Sequence, residues 1–220
     1  MAEQKQWFKL AFQIKGSVIP SILWRTCVCG VFGIFISVLF HWKQPVALPM
    51  LASLIPNIVL GLLLVFRTNT AYDRFWEGRK CWGSLVNCVR NLARQIWIAV
   101  GVTDGSDRSQ KVSCLRMLVA FCVATKLQLR AEPVNDELKA LLPSAKYFTL
   151  KGMNHPPLEI AFWIGDYLQQ QYERNLLNIH QLNAMHRLLD TMVDQLGGCE
   201  RILRTPMPLA YAIHLKQLLL

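Results

Sequence analysis

The chain has 220 residues, of which 53% are hydrophobic, and it carries a formal net charge of +10 at pH 7. This length predicts one or two domains. Long uncharged runs and a mean hydropathy of +0.26 favour a membrane protein over a soluble enzyme. A membrane protein with basic cytoplasmic segments also explains the excess of Lys and Arg, so no nucleic-acid partner is predicted.

The cysteines, histidines and glycines show no pattern typical of a catalytic, metal or cofactor site. His180 and His186 are six residues apart and fall on opposite faces of a helix, which disfavours metal ligation by this pair. The sequence contains no P-loop, GxGxxG or GxSxG pattern. We therefore predict neither an enzyme nor a cofactor. No CxxC pair is present, and the seven cysteines are interpreted as small, buried, reduced residues: Cys27, Cys29, Cys81, Cys88, Cys114, Cys122 and Cys199.

The first part of the chain predicts two membrane spans. Residues 1–15 mix aromatic and basic residues and predict an interfacial helix at the membrane surface, with a frayed terminus as the alternative. The spans are residues 18–40 and 45–66, and the second is an uncharged run of about 22 residues, enough to cross a hydrocarbon core of roughly 30 Å. The connection at 41–44 is so short that the two spans must be antiparallel. Basic residues flank both outer ends, which places the N-terminus and the rest of the chain in the cytoplasm.

Three apolar residues of the second span, Ile58, Leu62 and Phe66, recur at every fourth position. Four residues turn a helix by about 400°, so the three side chains stack along one slowly drifting face. The spacing alone favours a face that contacts lipid or packs against another helix.

Beyond the second span, helical periodicity alternates with turn residues. A long helix is predicted to continue directly from the membrane, and a polar turn, a second helix, a loop-rich segment and two further helices follow. Gly197 and Gly198 are predicted to end the last helix, because glycine is common just after a helix C-terminus. The predicted ranges are 71–100 for the continuing helix, 101–109 for the turn, 111–130, 131–157 for the loops, 158–175 and 179–196.

Two stretches carry a resemblance to a known family. The first is rich in aromatic and charged residues and runs from Phe66-Arg67 through Ala71–Arg74 and Glu77 to Arg79-Lys80, Trp82-Gly83, Asn87 and Arg90–Leu92. The second comprises Gly197–Ile202 and the Thr-Pro-x-Pro run at 205–208. Both stretches resemble the bestrophin family of ion channels. The resemblance implies an all-α membrane protein whose antiparallel transmembrane helix pair continues into a cytosolic helical bundle, assembled as a homopentamer around one pore.

The resemblance also implies where the pore is narrow. Ile58, Leu62 and Phe66 fall on the three positions of an apolar neck, where Leu62 departs from the bulkier aromatics that the family often has. A lower, cytosolic aperture is implied near Ile202 or Thr205, and the sequence leaves the register between these two open.

Four charged residues follow the neck: Arg67, Asp73, Arg74 and Glu77. In a ring of subunits beneath a membrane they would set the electric field at the pore mouth. A solvated helix face with weak surface ion pairs is the alternative.

These observations predict three regions: residues 1–66 with the two spans and the neck, 67–205 as the cytosolic helical region, and 206–220 as the start of a third membrane helix that the sequence cuts short. The predicted function is a subunit of an oligomeric channel that passes small anions, chloride first, with membrane lipid as its surroundings. A cation-selective channel of the same fold and a non-conducting, membrane-anchored helical scaffold are the alternatives.

Overall fold

A computed structural model describes residues 19–43 and 54–205 of the chain, and the side chains of 19–21 and 54–57 are not described. All regular elements in these ranges are helices, which confirms the predicted all-α fold. The predicted interfacial helix at 1–15 and the predicted third span at 206–220 lie outside the described residues. The helices are α1 (Ile19–His41), α2 (Leu54–Ala99), α3 (Gly105–Leu129), α4 (Asp136–Leu141), α5 (Ser144–Lys151), α6 (Pro156–Glu173) and α7 (Ile179–Arg204).

The chain divides into two compact units between Gly61 and Leu62. In the first unit, the segment Ile22–His41 of α1 is long and apolar enough to cross a membrane, and none of it is buried within the chain. Trp24 and Phe32 are among its exposed large side chains. An exposed apolar helix of this length is typical of a membrane span.

The helix α3 passes the same test of length and composition, but it has a different role in the second unit. Its residues Leu118, Phe121 and Ala124 are buried in the core, and it packs against α6 and α7. Asp107 and Lys111 are buried in the same helix with polar partners. These features identify α3 as the central helix of a folded body, in agreement with the predicted helix over 111–130.

The long helix α2 belongs to the core of this body only in its last part. Leu85, Leu92 and Ile96 are fully buried and recur at a spacing that keeps them on one face. Upstream of Leu85, between Ile58 and Ser84, no described side chain is buried. The predicted continuation of the second span into the body without a turn is therefore present, and the helix moves from an exposed apolar segment into a packed one.

In the second unit, two positively charged side chains donate hydrogen bonds to free backbone carbonyls at the C-terminal end of a neighbouring helix. Lys111 of α3 is buried and donates to the carbonyl of Val100 at 2.6 Å and to that of Trp97 at 3.2 Å, at the end of α2. Arg74 of α2 performs the same task at the end of α7, as described below. Because the last carbonyls of a helix have no partner within it, these contacts fix where each helix ends relative to its neighbour.

An ion pair joins the start of α3 to the end of α6. The Asp107 carboxylate lies 2.7 Å from the guanidinium of Arg174 and accepts the backbone N–H of Thr103 at 2.9 Å. The hydrogen bond from Arg174 is the main cause that lowers the pKa of Asp107, and the backbone N–H groups add to it. Asp104 caps the helix by accepting the N–H of Asp107, which forms a capping box.

The structure corrects three local predictions. The last helix does not end at the glycine pair, because α7 continues through Gly197 and Gly198 to Arg204. The segment 131–157 contains the short helices α4 and α5, and α3 begins at Gly105, six residues before the predicted start. The capping side chain at Asp104 explains the earlier start, since it supplies an acceptor for the first free N–H groups.

The predicted burial of the cysteines is wrong for part of the set. Cys88, Cys114 and Cys199 are buried, whereas Cys81 and Cys122 are partly exposed and Cys27 and Cys29 are exposed on α1. All seven cysteines are free thiols in the structure.

Candidate functional site

The apolar segment of α2 passes into its polar continuation without a break in the helix. Thr68 and Thr70 lie at this transition, and their hydroxyls donate to the carbonyls of Leu64 at 2.8 Å and Phe66 at 2.9 Å, one turn earlier. A threonine that bonds back to the fourth preceding carbonyl hides its hydroxyl from an apolar environment. The polar sequence that starts at Arg67 therefore begins without exposing unsatisfied hydroxyl groups toward the apolar segment.

The three predicted neck residues are all exposed in the isolated chain. The exposed fractions are 59% for Ile58, 53% for Leu62 and 45% for Phe66. Apolar side chains of this size are costly to leave in water, so they must be covered by lipid, by another subunit or by a narrow, poorly wetted pore. Leu64 is 64% exposed on the opposite side of the same helix. Exposure therefore does not single out one face, and the neck stays a prediction.

The structure brings together two predicted sites that lie far apart in sequence. The guanidinium of Arg74 donates to the carbonyl of Ile202 at 2.5 Å and to the carbonyl of Thr205. Arg74 is thus partly buried against the end of α7 and is not a fully solvated side chain. Its role at the pore mouth stays a prediction. The Ile202 side chain is half-buried and that of Thr205 is exposed.

These contacts also show where Ile202 and Thr205 lie along α2. Arg74 follows Phe66 by eight residues, or about 12 Å along the helix. Ile202 and Thr205 consequently lie beside the turns of α2 that directly follow its apolar segment. The other end of α2, at Val100, is some 39 Å from Arg74 along the helix. The aperture at Ile202 or Thr205 stays a prediction.

An ion pair reinforces the same junction one turn further along α2. Glu77 accepts from the guanidinium of Arg201 at 2.9 Å, and both side chains are exposed. The partners show that α2 and α7 run antiparallel here, because Arg74 contacts Thr205 while Glu77 contacts Arg201. The other two predicted pore-mouth residues, Arg67 and Asp73, lie exposed on α2.

A third contact of the α7 end reaches α3 and the start of α6. The Glu200 carboxylate lies 2.8 Å from His155 Nε2 and accepts the side-chain amide of Gln128 at 3.0 Å. The three consecutive residues 200–202, together with Thr205, thus join α7 to three other helices. We name this group of contacts the α7 junction. Sequence reasoning missed His155 and Gln128, because neither has a local signal that points to Glu200.

The part of the chain that the structure describes contains no cluster of three His, Cys, Asp or Glu side chains that could hold a metal ion. The candidate site consists of the exposed apolar segment of α2, followed by charged residues of α2 that bind the end of α7 in the α7 junction.

Comparison with known proteins identifies the same family as the sequence stretches. A family profile described as bacterial and fungal bestrophin proteins matches residues 1–220. A voltage-dependent anion channel-forming protein of Nostoc sp. is 63% identical over 217 residues, covering 99% of this chain and 71% of that protein. The protein of the same description from Synechocystis sp. is 54% identical over 213 residues, covering 97% and 69%.

Solved structures give the same result at lower sequence identity. A crystal structure of a bacterial bestrophin homologue from Klebsiella pneumoniae, determined with a single mutation, superposes with a TM-score of 0.79 and 27% identity. The superposition covers 92% of this chain and 73% of that one. A membrane channel fold, and not that of an enzyme, therefore accounts for nearly the whole chain.

Proposed function

The chain belongs to the bestrophin family, and we propose that it is one subunit of a homo-oligomeric channel, a pentamer, that passes small anions across the cell membrane. Chloride is the first candidate. The names of the Nostoc and Synechocystis relatives, both described as anion channel-forming proteins, support the choice of anions. Conduction needs no chemistry, so the residues that matter are those that set the width, wetting and charge of the path.

The observation that carries the proposal is the exposed apolar face of α2. Ile58, Leu62 and Phe66 are separated by one helical turn each and are all about half exposed. Arranged as rings in an oligomer, they would form a neck in which an ion must thin or shed its hydration shell. Such a neck gates by wetting and dewetting, and Leu62 makes its middle ring narrower than an alanine ring and wider than an aromatic one.

The charge that follows the apolar segment favours anions. Between Arg67 and Ala99 the chain has six basic and two acidic residues. One of the acidic residues, Glu77, is paired with Arg201, so it adds little negative field. A vestibule with this balance raises the local concentration of anions before they reach the neck.

The neck is tested by chloride efflux from proteoliposomes that contain the purified protein. Replacing Ile58, Leu62 and Phe66 together by alanine should raise basal efflux, because the rings become wider and less hydrophobic. Leu64→Ala is the matched control: it removes a similar side chain from the opposite face of the same helix and should leave efflux unchanged. Unchanged efflux in the triple variant, with a conducting wild type, would move the constriction elsewhere, and residues 202–205 would be tested next.

Reversal potentials in asymmetric potassium chloride test the choice of ion. The proposal requires the reversal potential to lie near the chloride equilibrium potential. A value near the potassium potential would identify a cation-selective channel of the same fold. The absence of any flux from an intact oligomer would favour the non-conducting scaffold instead.

Membrane orientation is tested separately. We propose that the N-terminus and the helical body both lie in the cytoplasm, because basic residues flank the outer ends of both predicted spans. Tags at residue 1 and in the segment 101–104 should report the cytoplasm, and a tag at 41–44 should report the opposite side. Opposite locations for the first two tags would contradict the proposed topology.

A further inference from the structure

Two cysteines from distant parts of the sequence meet where α2 and α7 pack closely. In the antiparallel pairing, Arg74 contacts Thr205 and Glu77 contacts Arg201, so Cys81 comes opposite residues 198 and 199. A Cβ atom added to Gly198 would lie only 3.0 Å from the Cys81 Sγ atom. The Cys81 thiol therefore lies directly against the backbone of α7.

The next residue of α7, Cys199, lies close enough to the Cys81 thiol for that thiol to influence its pKa. Burial is the main cause that raises the pKa of Cys199 to about 11, and the neighbouring Cys81 raises it further. Cys199 is 9% exposed, whereas Cys81 is partly open to solvent. A small oxidant can consequently reach Cys81 first, while Cys199 stays a protonated thiol beside it.

The pair lies immediately before the α7 junction. Glu200, Arg201 and Ile202 follow Cys199 directly and bind His155, Glu77 and Arg74. A covalent bond at this level would add a stronger link to contacts that are otherwise ion pairs and hydrogen bonds. Exposed ion pairs of this kind are individually weak, so the bond would be the strongest tie in the group.

We propose that Cys81 and Cys199 form a redox modification site, in which the two thiols join reversibly in an intrachain disulfide bond that locks α7 onto α2. The oxidant is a low-molecular-weight disulfide of the glutathione class. The Cys81 thiolate attacks one of its sulfur atoms and displaces one small thiolate. The Cys199 thiol then gives up its proton as its sulfur attacks the Cys81 sulfur of the mixed disulfide, and the second small thiol is released. The two protons lost by the protein thiols are taken up by the two small thiols, so two electrons pass from the protein to the oxidant.

A reversible bond fits the compartment in which the body is proposed to lie. In the cytosol, small thiols keep protein cysteines reduced. Disulfide bonds form there when the thiol pool becomes oxidised. The sequence segment between the two cysteines is long, so closing it removes much freedom from the unfolded chain.

The test uses the purified protein in detergent, first reduced and then equilibrated with oxidised glutathione. Free thiols are blocked with N-ethylmaleimide, and the digest is mapped by mass spectrometry. We expect a peptide pair joined through Cys81 and Cys199 with the loss of two hydrogen atoms, and its disappearance on reduction. The oxidised protein should also unfold at a temperature roughly 10 °C higher than the reduced protein.

Variants separate the proposed bond from other thiol chemistry. Cys81→Ser and Cys199→Ser should each abolish the linked peptide and the temperature shift, and circular dichroism confirms that each variant is folded. Cys88→Ser, a buried cysteine two turns further along α2, should change neither readout. The proposal is overturned if Cys81 retains only bound glutathione, if it links to a cysteine of another subunit, or if no linked peptide forms and Cys81 stays open to alkylation. The pair would then be a packing contact and no more.

Discussion

Two adjacent glycines in the middle of α7 allow a matched test of how closely α7 packs against α2. Gly198 is buried, and a Cβ atom there would meet the Cys81 Sγ atom at 3.0 Å. Gly197 is exposed, and a Cβ atom there would have no neighbour within 4 Å. Both residues are helical, so alanine at either position gains the same intrinsic preference for the helix.

The two substitutions should change the free energy of unfolding differently, because only an alanine at position 198 would meet a neighbouring side chain. Gly197→Ala should stabilise the protein by about 0.5–1 kcal/mol, the usual advantage of alanine over glycine inside a helix. Gly198→Ala has the same advantage but must displace the Cys81 side chain from a contact that is several tenths of an ångström too short. Overpacking of this kind costs about 1–3 kcal/mol. The two variants should therefore differ by about 1–3 kcal/mol, or roughly 3–10 °C in Tm.

The assay is thermal unfolding of the detergent-solubilised protein under reducing conditions, followed by circular dichroism. A second substitution tests the contact directly, because Cys81→Ala removes the Sγ atom that the new Cβ atom of Gly198→Ala would meet. In that background, Gly198→Ala should become as favourable as Gly197→Ala, so the double variant should be more stable than the sum of the single effects predicts. Equal effects of the two glycine variants, or strictly additive effects in the double variant, would refute the close contact between α7 and Cys81.

Three further predictions concern charged groups of the body, each measured by thermal unfolding. Arg74→Gln should lower stability by about 1–3 kcal/mol, because two carbonyls at the end of α7 lose a charged donor, whereas exposed Arg79→Gln should stay within about 0.5 kcal/mol. Lys111→Met should cost about 1–3 kcal/mol by leaving buried carbonyls of α2 unsatisfied, and exposed Lys139→Met serves as its control. Asp107 has a lowered pKa in the fold, so its stabilising effect is complete above the unfolded value of about 3.9 and is lost as the pH falls below it. Asp107→Asn should therefore flatten the loss of Tm below about pH 4, and an unchanged acid profile would count against the ion pair.

The sequence predicts helices well where an apolar run or a helical periodicity extends over many residues. The apolar run before Phe66 and the aromatic and basic stretch after it predict one continuous helix, and α2 continues from Leu54 to Ala99. The helix α3 is also visible from its periodicity. Its true start at Gly105 had a local signal, the capping pair Asp104 and Asp107, which we interpreted as part of a polar turn.

What the sequence could not show depends on contacts between distant residues. The role of Gly198 depends on Cys81, which approaches from another helix, so local glycine statistics predicted a helix end where the chain has a helix contact. Arg74 is separated from its two acceptors by 128 and 131 residues. No single-sequence pattern reports a separation of that kind, and the charge was therefore assigned to the pore mouth without its partner.

The contact between Arg74 and the end of α7 also has an electrostatic consequence for an ion near the junction. The C-terminus of a helix carries a partial negative charge of about half an elementary charge, because its peptide dipoles are aligned. Left uncovered, the end of α7 would repel an anion close to the apolar segment of α2. The guanidinium of Arg74 brings a full positive charge to the carbonyls of Ile202 and Thr205, which more than offsets this dipole. The same contact that fixes the end of α7 thus leaves a small positive field there instead of a negative one.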